Sequence, residues 1–315
     1  MGRGQTAPPG HPHAPGNGSS GLSAGLGPSR VSWGPLLLLG PGVLFLFVFM
    51  VAPLAITFVY SLQPNSLLPP DQATVGVGNY IYLAQRRVYV EAFARTLRLA
   101  TFVVVGALLL GYPTALILRR LHARLGSTLI LGLSFPILAG PLVVVLGWML
   151  LLPRGGLVNA ALVRLGLVAQ PVQFIGTEVA VVIALVQFTL AFVVLNIFNS
   201  LMRIDPALGE AAGSLGADPL RTFRYVTWPL SLPGVFSGSL IAFTLAVSAF
   251  VAPHYLGGET LLVVTTLIAQ FMFGTFSWEL ASTAAVLLVV ITVIMIVAYN
   301  RIVGRLIERR FGLPE

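Results

Sequence analysis

Proton transfer, nucleophilic attack and metal ligation draw on few residue types, and this chain of 315 residues is poor in them. It has no cysteine and no lysine. That excludes thiol nucleophiles, cysteine-held metals, disulfides and any phosphate-cradling GxxxxGK[ST] loop. The histidines are His11, His13, His122 and His254. The first two flank a proline with no carboxylate nearby, and the other two fall on opposite sides of the membrane pattern derived below. No His-Glu-x-x-His pattern occurs. Ser134 and Ser248, the candidate serine nucleophiles, have no paired base to activate them. No catalytic residue, metal site or resident cofactor is expected, and an enzyme is not.

What remains is the chemistry of polar groups held among apolar ones, where an unpaired amide is costly. Gln187, Asn196 and Asn199 lie in one apolar run. Nine residues at 100° each place Gln187 and Asn196 on opposite faces of a straight helix, whereas Asn196 and Asn199 share a face. Each is either a contact on a translocation path or an interhelical hydrogen bond. Gln270 is open to the same two readings. Gly106 and Gly111, five apart, do not match the spacing of a helix-packing glycine pair.

The elements that hold these residues follow from composition. At 57% hydrophobic and 9% charged, the chain is too apolar for a soluble domain. Residues 1–34, rich in Gly, Pro and Ser, are expected to form a disordered tail, with no cleavable signal peptide ahead of the first apolar run. Six apolar runs follow at about 36–60, 97–118, 128–152, 179–201, 234–256 and 281–303, each long enough to cross a hydrocarbon core of about 30 Å as a helix. The expected class is all-α, a polytopic membrane protein of six spans within residues 35–310. Pro41, Pro53, Pro113, Pro136 and Pro141 interrupt the runs, which implies packed, irregular spans. A short interfacial helix is expected near Tyr80, and another at 157–166.

Arginine sets the orientation. All 18 basic residues are arginine, and the formal net charge is +8. Twelve of them, including Arg119, Arg120, Arg203, Arg221, Arg224 and Arg301, fall on the side of the N-terminus. Arg86, Arg87, Arg95, Arg98, Arg154 and Arg164 fall on the other. The richer side is expected in the cytoplasm, with both termini. The surplus suits an anionic lipid surface rather than nucleic acid.

One long stretch inside this apolar chain suits water: Asp205 to Pro233, DPALGEAAGSLGADPLRTFRYVTWPLSLP. Asp205-Pro206 and Asp218-Pro219 each combine an N-cap acceptor with a proline at the first helical position. Two short helices are predicted, about 206–215 and 219–227, with Gly216 closing the first and Pro229 limiting the second. Leu208, Ala211, Ala212 and Leu215 form one apolar stripe. Glu210 projects from the other side, and Arg221 and Arg224 make a basic edge. Read from periodicity alone, this is either an ordinary cytoplasmic loop or an amphipathic elbow built to dock.

Glu210-Ala211-Ala212, three residues, Gly216, nine residues, Val226, one residue, then Trp228-Pro229 resembles the EAA loop of ABC-importer permeases. Every spacing is met; Trp228 stands where that family usually has leucine. The resemblance runs from about Leu36 onward and is nearest the spermidine/putrescine-type permeases, with Tyr255-Leu256-Gly257-Gly258 a shorter likeness. It implies the type I importer permease fold and a coupling loop at 205–233 that meets an ATPase through Glu210, Ala211, Ala212, Gly216, Asp218, Arg221, Arg224 and Pro229. It also implies a second permease subunit, identical or different, and a periplasmic or lipid-anchored substrate-binding protein. ATP would be bound by the partner, the membrane would be a bacterial inner membrane, and the solute would be small and polyamine-like. The competing class is a stand-alone channel or secondary carrier without an ATPase, which would favour internal repeats and mid-span ionisable residues; neither is evident.

Overall fold

The computed structural model describes residues 33–65, 75–258 and 261–311. The expected tail at 1–34, except for its last two residues, lies outside them, as do His11, His13 and Glu259. Among the described residues every regular element is helical. The order is α1 (Trp33–Ser61), α2 (Gly78–Gln85), α3 (Arg87–Arg120), α4 (Ala123–Leu151), α5 (Leu157–Arg164), α6 (Glu178–Met202), α7 (Pro206–Ser214) and α8 (Pro219–Thr222). A wide π turn, Phe223–Thr227, leads into α9 (Trp228–Ser248), followed by α10 (Val251–Leu256), α11 (Val264–Ala269), a second π turn (Gln270–Gly274) and α12 (Trp278–Phe311). Six of these stretches are long and apolar enough to cross a membrane: Leu39–Ser61, Arg87–Arg120, Arg124–Leu151, Glu178–Met202, Pro219–Ser248 and Trp278–Ile302.

The chain divides into two compact units, Met1–Ala52 and Pro53–Glu315. The described part of the first is the leading portion of α1, whose apolar side chains, such as Leu46 and Phe49, are exposed. The second unit is built on α6, α3 and α9. Toward the α7–α8 end, Ala107, Ala115 and Leu118 of α3 pack with Val193, Val194, Ile197 and Leu201 of α6 and with Val235 and Ala242 of α9. Leu99, Val103, Val181, Leu185 and Val247 continue the core toward the opposite end. Lipid tails are as apolar as leucine, so spans associate through close packing rather than hydrophobic expulsion. Small residues allow it. A Cβ on Gly106 would stand 2.8 Å from Val186 Cγ2, and one on Gly111 2.9 Å from Val193 Cγ1, so both glycines face α6 despite their five-residue spacing. The tighter pair is Gly234 and Gly238 of α9, four apart. A Cβ there would meet the Asn196 carbonyl oxygen at 2.5 Å and the Val193 Cα at 3.2 Å.

Several boundaries differ from those expected, and for three breaks the cause is visible. The second span begins at Arg87 rather than near 97, because its charged first turns are partnered: Arg87 Nε donates to Glu91 Oε1 at 2.6 Å, while Arg95 and Arg98 both meet Glu178 at the start of α6. The third is broken at Gly140 (φ 79°, ψ 160°), where Pro141 disfavours a helical residue before it. The fifth ends at Ser248, since Ala249 is extended (ψ 124°), and its carbonyl accepts from Thr265 Oγ1 at 2.8 Å instead of from a next helical turn.

Candidate functional site

The elbow between α6 and α9 folds on local hydrogen bonds. Asp205 Oδ1 accepts from the Ala207 amide at 2.9 Å, and Asp218 Oδ1 from the Arg221 amide at 2.6 Å, so each aspartate caps the helix that its proline begins. The first helix ends in a Schellman closure. The Ala217 amide donates to the Ala212 carbonyl at 3.0 Å and the Gly216 amide to the Gly213 carbonyl at 2.9 Å. That closure needs a left-handed residue, and Gly216 supplies it at φ 79°.

The stripe named from the sequence is left uncovered by its own chain. Leu208 is 47% exposed and Leu215 89%, Ala211 is exposed and Ala212 half-buried, and Leu220 on the second helix is 73% exposed. Glu210, Arg221 and Arg224 are exposed as well. The contact of Arg221 with Asp218 is long, 3.9 Å, between two largely solvated side chains. The elbow thus presents apolar area flanked by charges of both signs.

Pro229 does not end the second helix as expected. A proline inside a helix clashes with the carbonyl four residues back and offers no N–H. Here the preceding turn widens, with the Trp228 amide donating to the Phe223 carbonyl five residues back, and the helix continues to Ser248. The elbow's second arm and the fifth span are one continuous rod.

Sequence reasoning missed what grips that rod. Tyr112 of α3 sets its ring 5.0 Å from Trp228 and 6.0 Å, nearly perpendicular, from Phe223. Its hydroxyl lies 2.9 Å from Ser231 Oγ, and Ser231, fully buried, donates its own proton to the Trp228 carbonyl at 2.9 Å. Tyr112 is therefore the donor in that pair. The available signal was a polar-tipped aromatic beside Pro113 inside an apolar run. Trp228, the departure from leucine, is a filled contact.

Gln187 and Asn196, expected on opposite faces of α6, turn to different helices. Gln187 Oε1 accepts from Trp148 Nε1 of α4 at 2.5 Å. Asn196 faces α9, accepting from Ser237 Oγ at 3.1 Å and donating to the Phe192 carbonyl at 2.8 Å. Both amides are hydrogen-bonded between or within helices. Asn199 is exposed. At the opposite end of the spans, a recess of about 730 Å³ is lined by Phe250, His254, Thr266, Gln270 and Phe273. Among the described residues no group of three His, Asp or Glu side chains is placed to hold a metal ion.

Known proteins match this chain in sequence and in fold. The model of the family described as binding-protein-dependent transport system inner membrane component matches residues 103–312. The spermidine/putrescine transport system permease protein PotB of Haemophilus influenzae is 28% identical over 225 residues, 71% of this chain and 78% of that protein. The PotB of Escherichia coli K12 is 29% identical over 225 residues, 71% and 82%. The sn-glycerol-3-phosphate transport system permease protein UgpA of Escherichia coli O6:K15:H31 is 29% identical over 288 residues, 88% and 96%. A chain of a bacterial ABC transporter involved in import of the acidic polysaccharide alginate has a TM-score of 0.70 at 19% identity, covering 87% of this chain and 96% of that one. A chain of the inward-facing MetNI methionine ABC transporter has a TM-score of 0.54 at 20% identity, covering 72% and 97%. At these identities the structural likeness is one of fold. The sequence match extends over more than half the chain, and the protein belongs to the binding-protein-dependent transport system inner membrane component family, as a permease subunit of an ABC importer.

Proposed function

We propose that this subunit forms half of a translocation pathway for a small, polyamine-like solute, and that the 205–233 elbow is its socket for a separate ATPase. The observation that carries this reading is the elbow's stripe of Leu208, Ala211, Ala212 and Leu215, capped at both helix starts yet uncovered by its own chain. A folded amphipathic surface of this kind suits a partner's cleft. Burial of the leucines supplies area, while Glu210, Asp218, Arg221 and Arg224 set the pairing. Gly216 and Pro229 shape the arms. ATP is held by the partner, and this chain needs no cofactor.

The arginine imbalance supports an orientation with the elbow and both chain ends on the cytoplasmic side of a bacterial inner membrane, with lipid headgroups around the basic flanks. A second permease subunit completes the path, and a periplasmic or lipid-anchored binding protein delivers the solute. The polyamine class follows the names of the PotB relatives. No carboxylate lies inside the apolar runs read from the sequence, so selectivity resides largely in the binding protein. Asn199, the exposed amide of the three, is assigned to the inner mouth of the path, whereas Gln187 and Asn196 keep their spans in register.

Purification of the tagged chain from native membranes is expected to bring a second permease and an ATPase with it. Recovery of the chain alone, with spermidine uptake insensitive to loss of the ATPase, would overturn the importer assignment in favour of a carrier acting by itself. Glu210→Lys and Gly216→Asp are expected to insert normally and abolish uptake. Wild-type uptake by either variant at normal expression removes the coupling role.

A further inference from the structure

We propose that Tyr112, Trp228 and Phe223 form an aromatic clasp that makes the elbow and the near end of α3 move as one body. Tyr112 and Trp228 are then positioning residues for energy coupling. The inference rests on the elbow being the ATPase socket and adds the route by which its motion reaches a second span.

The geometry of the rod argues for it. Residues five apart on an α-helix lie about 140° around from each other, so Phe223 and Trp228 would diverge. The i→i+5 bond from the Trp228 amide to the Phe223 carbonyl stacks them on one side instead, with ring centroids 6.4 Å apart. Both then face a single ring on α3. Tyr112 therefore touches the first residue of the wide turn and the residue just past its last, and its hydroxyl holds Ser231 one turn further on. Left alone, a π turn beside a proline is the weak point of a helix, where a push on the elbow would be absorbed as bending. Three aromatic contacts and a half-buried hydroxyl pair across that point oppose the bending. On α3 the clasp sits beside Pro113, whose missing N–H removes one rung of the helical ladder there, while Ala107 and Ala115 on either side are buried in the core.

The test uses the complete importer, with spermidine as the transport probe and the other subunits free of cysteine. Spin labels at Ala217→Cys on the elbow and Ile117→Cys on α3 report the distance between the two parts, and labels at Ala217→Cys and Leu150→Cys report movement against α4. In the otherwise wild-type complex, binding of a non-hydrolysable ATP analogue is expected to change the second distance and to leave the first within about 2 Å, the scale of ordinary interface adjustment. Tyr112→Ala is expected to make the first distance nucleotide-dependent and to raise ATP consumed per spermidine imported roughly tenfold, which is 1.4 kcal/mol of lost coupling. Trp228→Ala is expected to do the same and Trp228→Phe to restore both readouts, a pattern that loss of fold would not produce. A nucleotide-dependent elbow–α3 distance in the wild-type background overturns the clasp. So does unchanged coupling in a Tyr112→Ala or Trp228→Ala complex that retains its ATPase. If the wild-type chain holds no ATPase, the socket reading fails, and the clasp with it.

Discussion

At Gly216 in the elbow an added Cβ would meet nothing within 4 Å, whereas at Gly234 in the bundle it would stand 2.5 Å from the Asn196 carbonyl oxygen and 2.6 Å from Ser200 Cβ. One glycine is there for its dihedral, the other for its lack of volume. The contrast extends to the whole of each region. The first arm of the elbow, Pro206–Ser214, is held by caps and turns within a few residues, and its leucines face outward. The α3–α6–α9 bundle is held by contacts between residues far apart in sequence, and its buried small residues let backbones touch. A surface kept for another protein is built to be locally complete and globally unfinished; the bundle is the reverse.

The largest effect expected from this contrast is at Gly234. Gly234→Val pushes a branched side chain against the backbone of α6, and a loss of about 3 kcal/mol or more is expected, read as a much lower unfolding midpoint of the purified chain in detergent. A near-wild-type midpoint would mean the two helices are free to separate, and the comparison breaks. Next comes Gly216→Ala, at about 1–2 kcal/mol of local strain from the left-handed conformation. It should appear as faster hydrogen exchange at the Ala217 amide with the bundle's unfolding unchanged, and Gly216→Asn should recover part of the protection. A fall in the bundle's midpoint would show the elbow is not locally self-contained. Asn196→Ala removes the tie to Ser237 and is expected to cost about 1 kcal/mol of bundle stability while leaving uptake per folded molecule intact. Loss of uptake at full stability would move Asn196 to the path. The smallest is Arg221→Ala: its long, solvated contact with Asp218 is worth less than about 0.5 kcal/mol, so calorimetry should not resolve it, while ATPase retention should weaken.

The parts of the elbow that depend on neighbours in sequence were legible. Asp205 and Asp218 cap as their Asp-Pro pairs indicate, and Gly216 closes the first arm as a glycine after an apolar stripe should. The six apolar runs likewise became six span-length helices. What depends on distant neighbours was not. Pro229 reads as a stop because proline ends most helices, and the wide turn that accommodates it answers to Tyr112, more than a hundred residues earlier. Arg95 reads as a loop residue, and Arg98 as the edge of a span, until Glu178 is brought beside them. The role of Gly106 and Gly111 in packing was hidden by their spacing, and the regular Gly234–Gly238 pair was passed over although its four-residue interval is the usual mark of closely packed spans.

Because the helix does not stop at Pro229, the stretch from Pro219 to Ser248 is a single beam of 30 residues, about 45 Å from end to end. Over that length a pivot of about 10° at the elbow would carry the far end about 8 Å, and because Gly234 and Gly238 seat the beam against the backbone of α6, any such tilt must be shared with that neighbour.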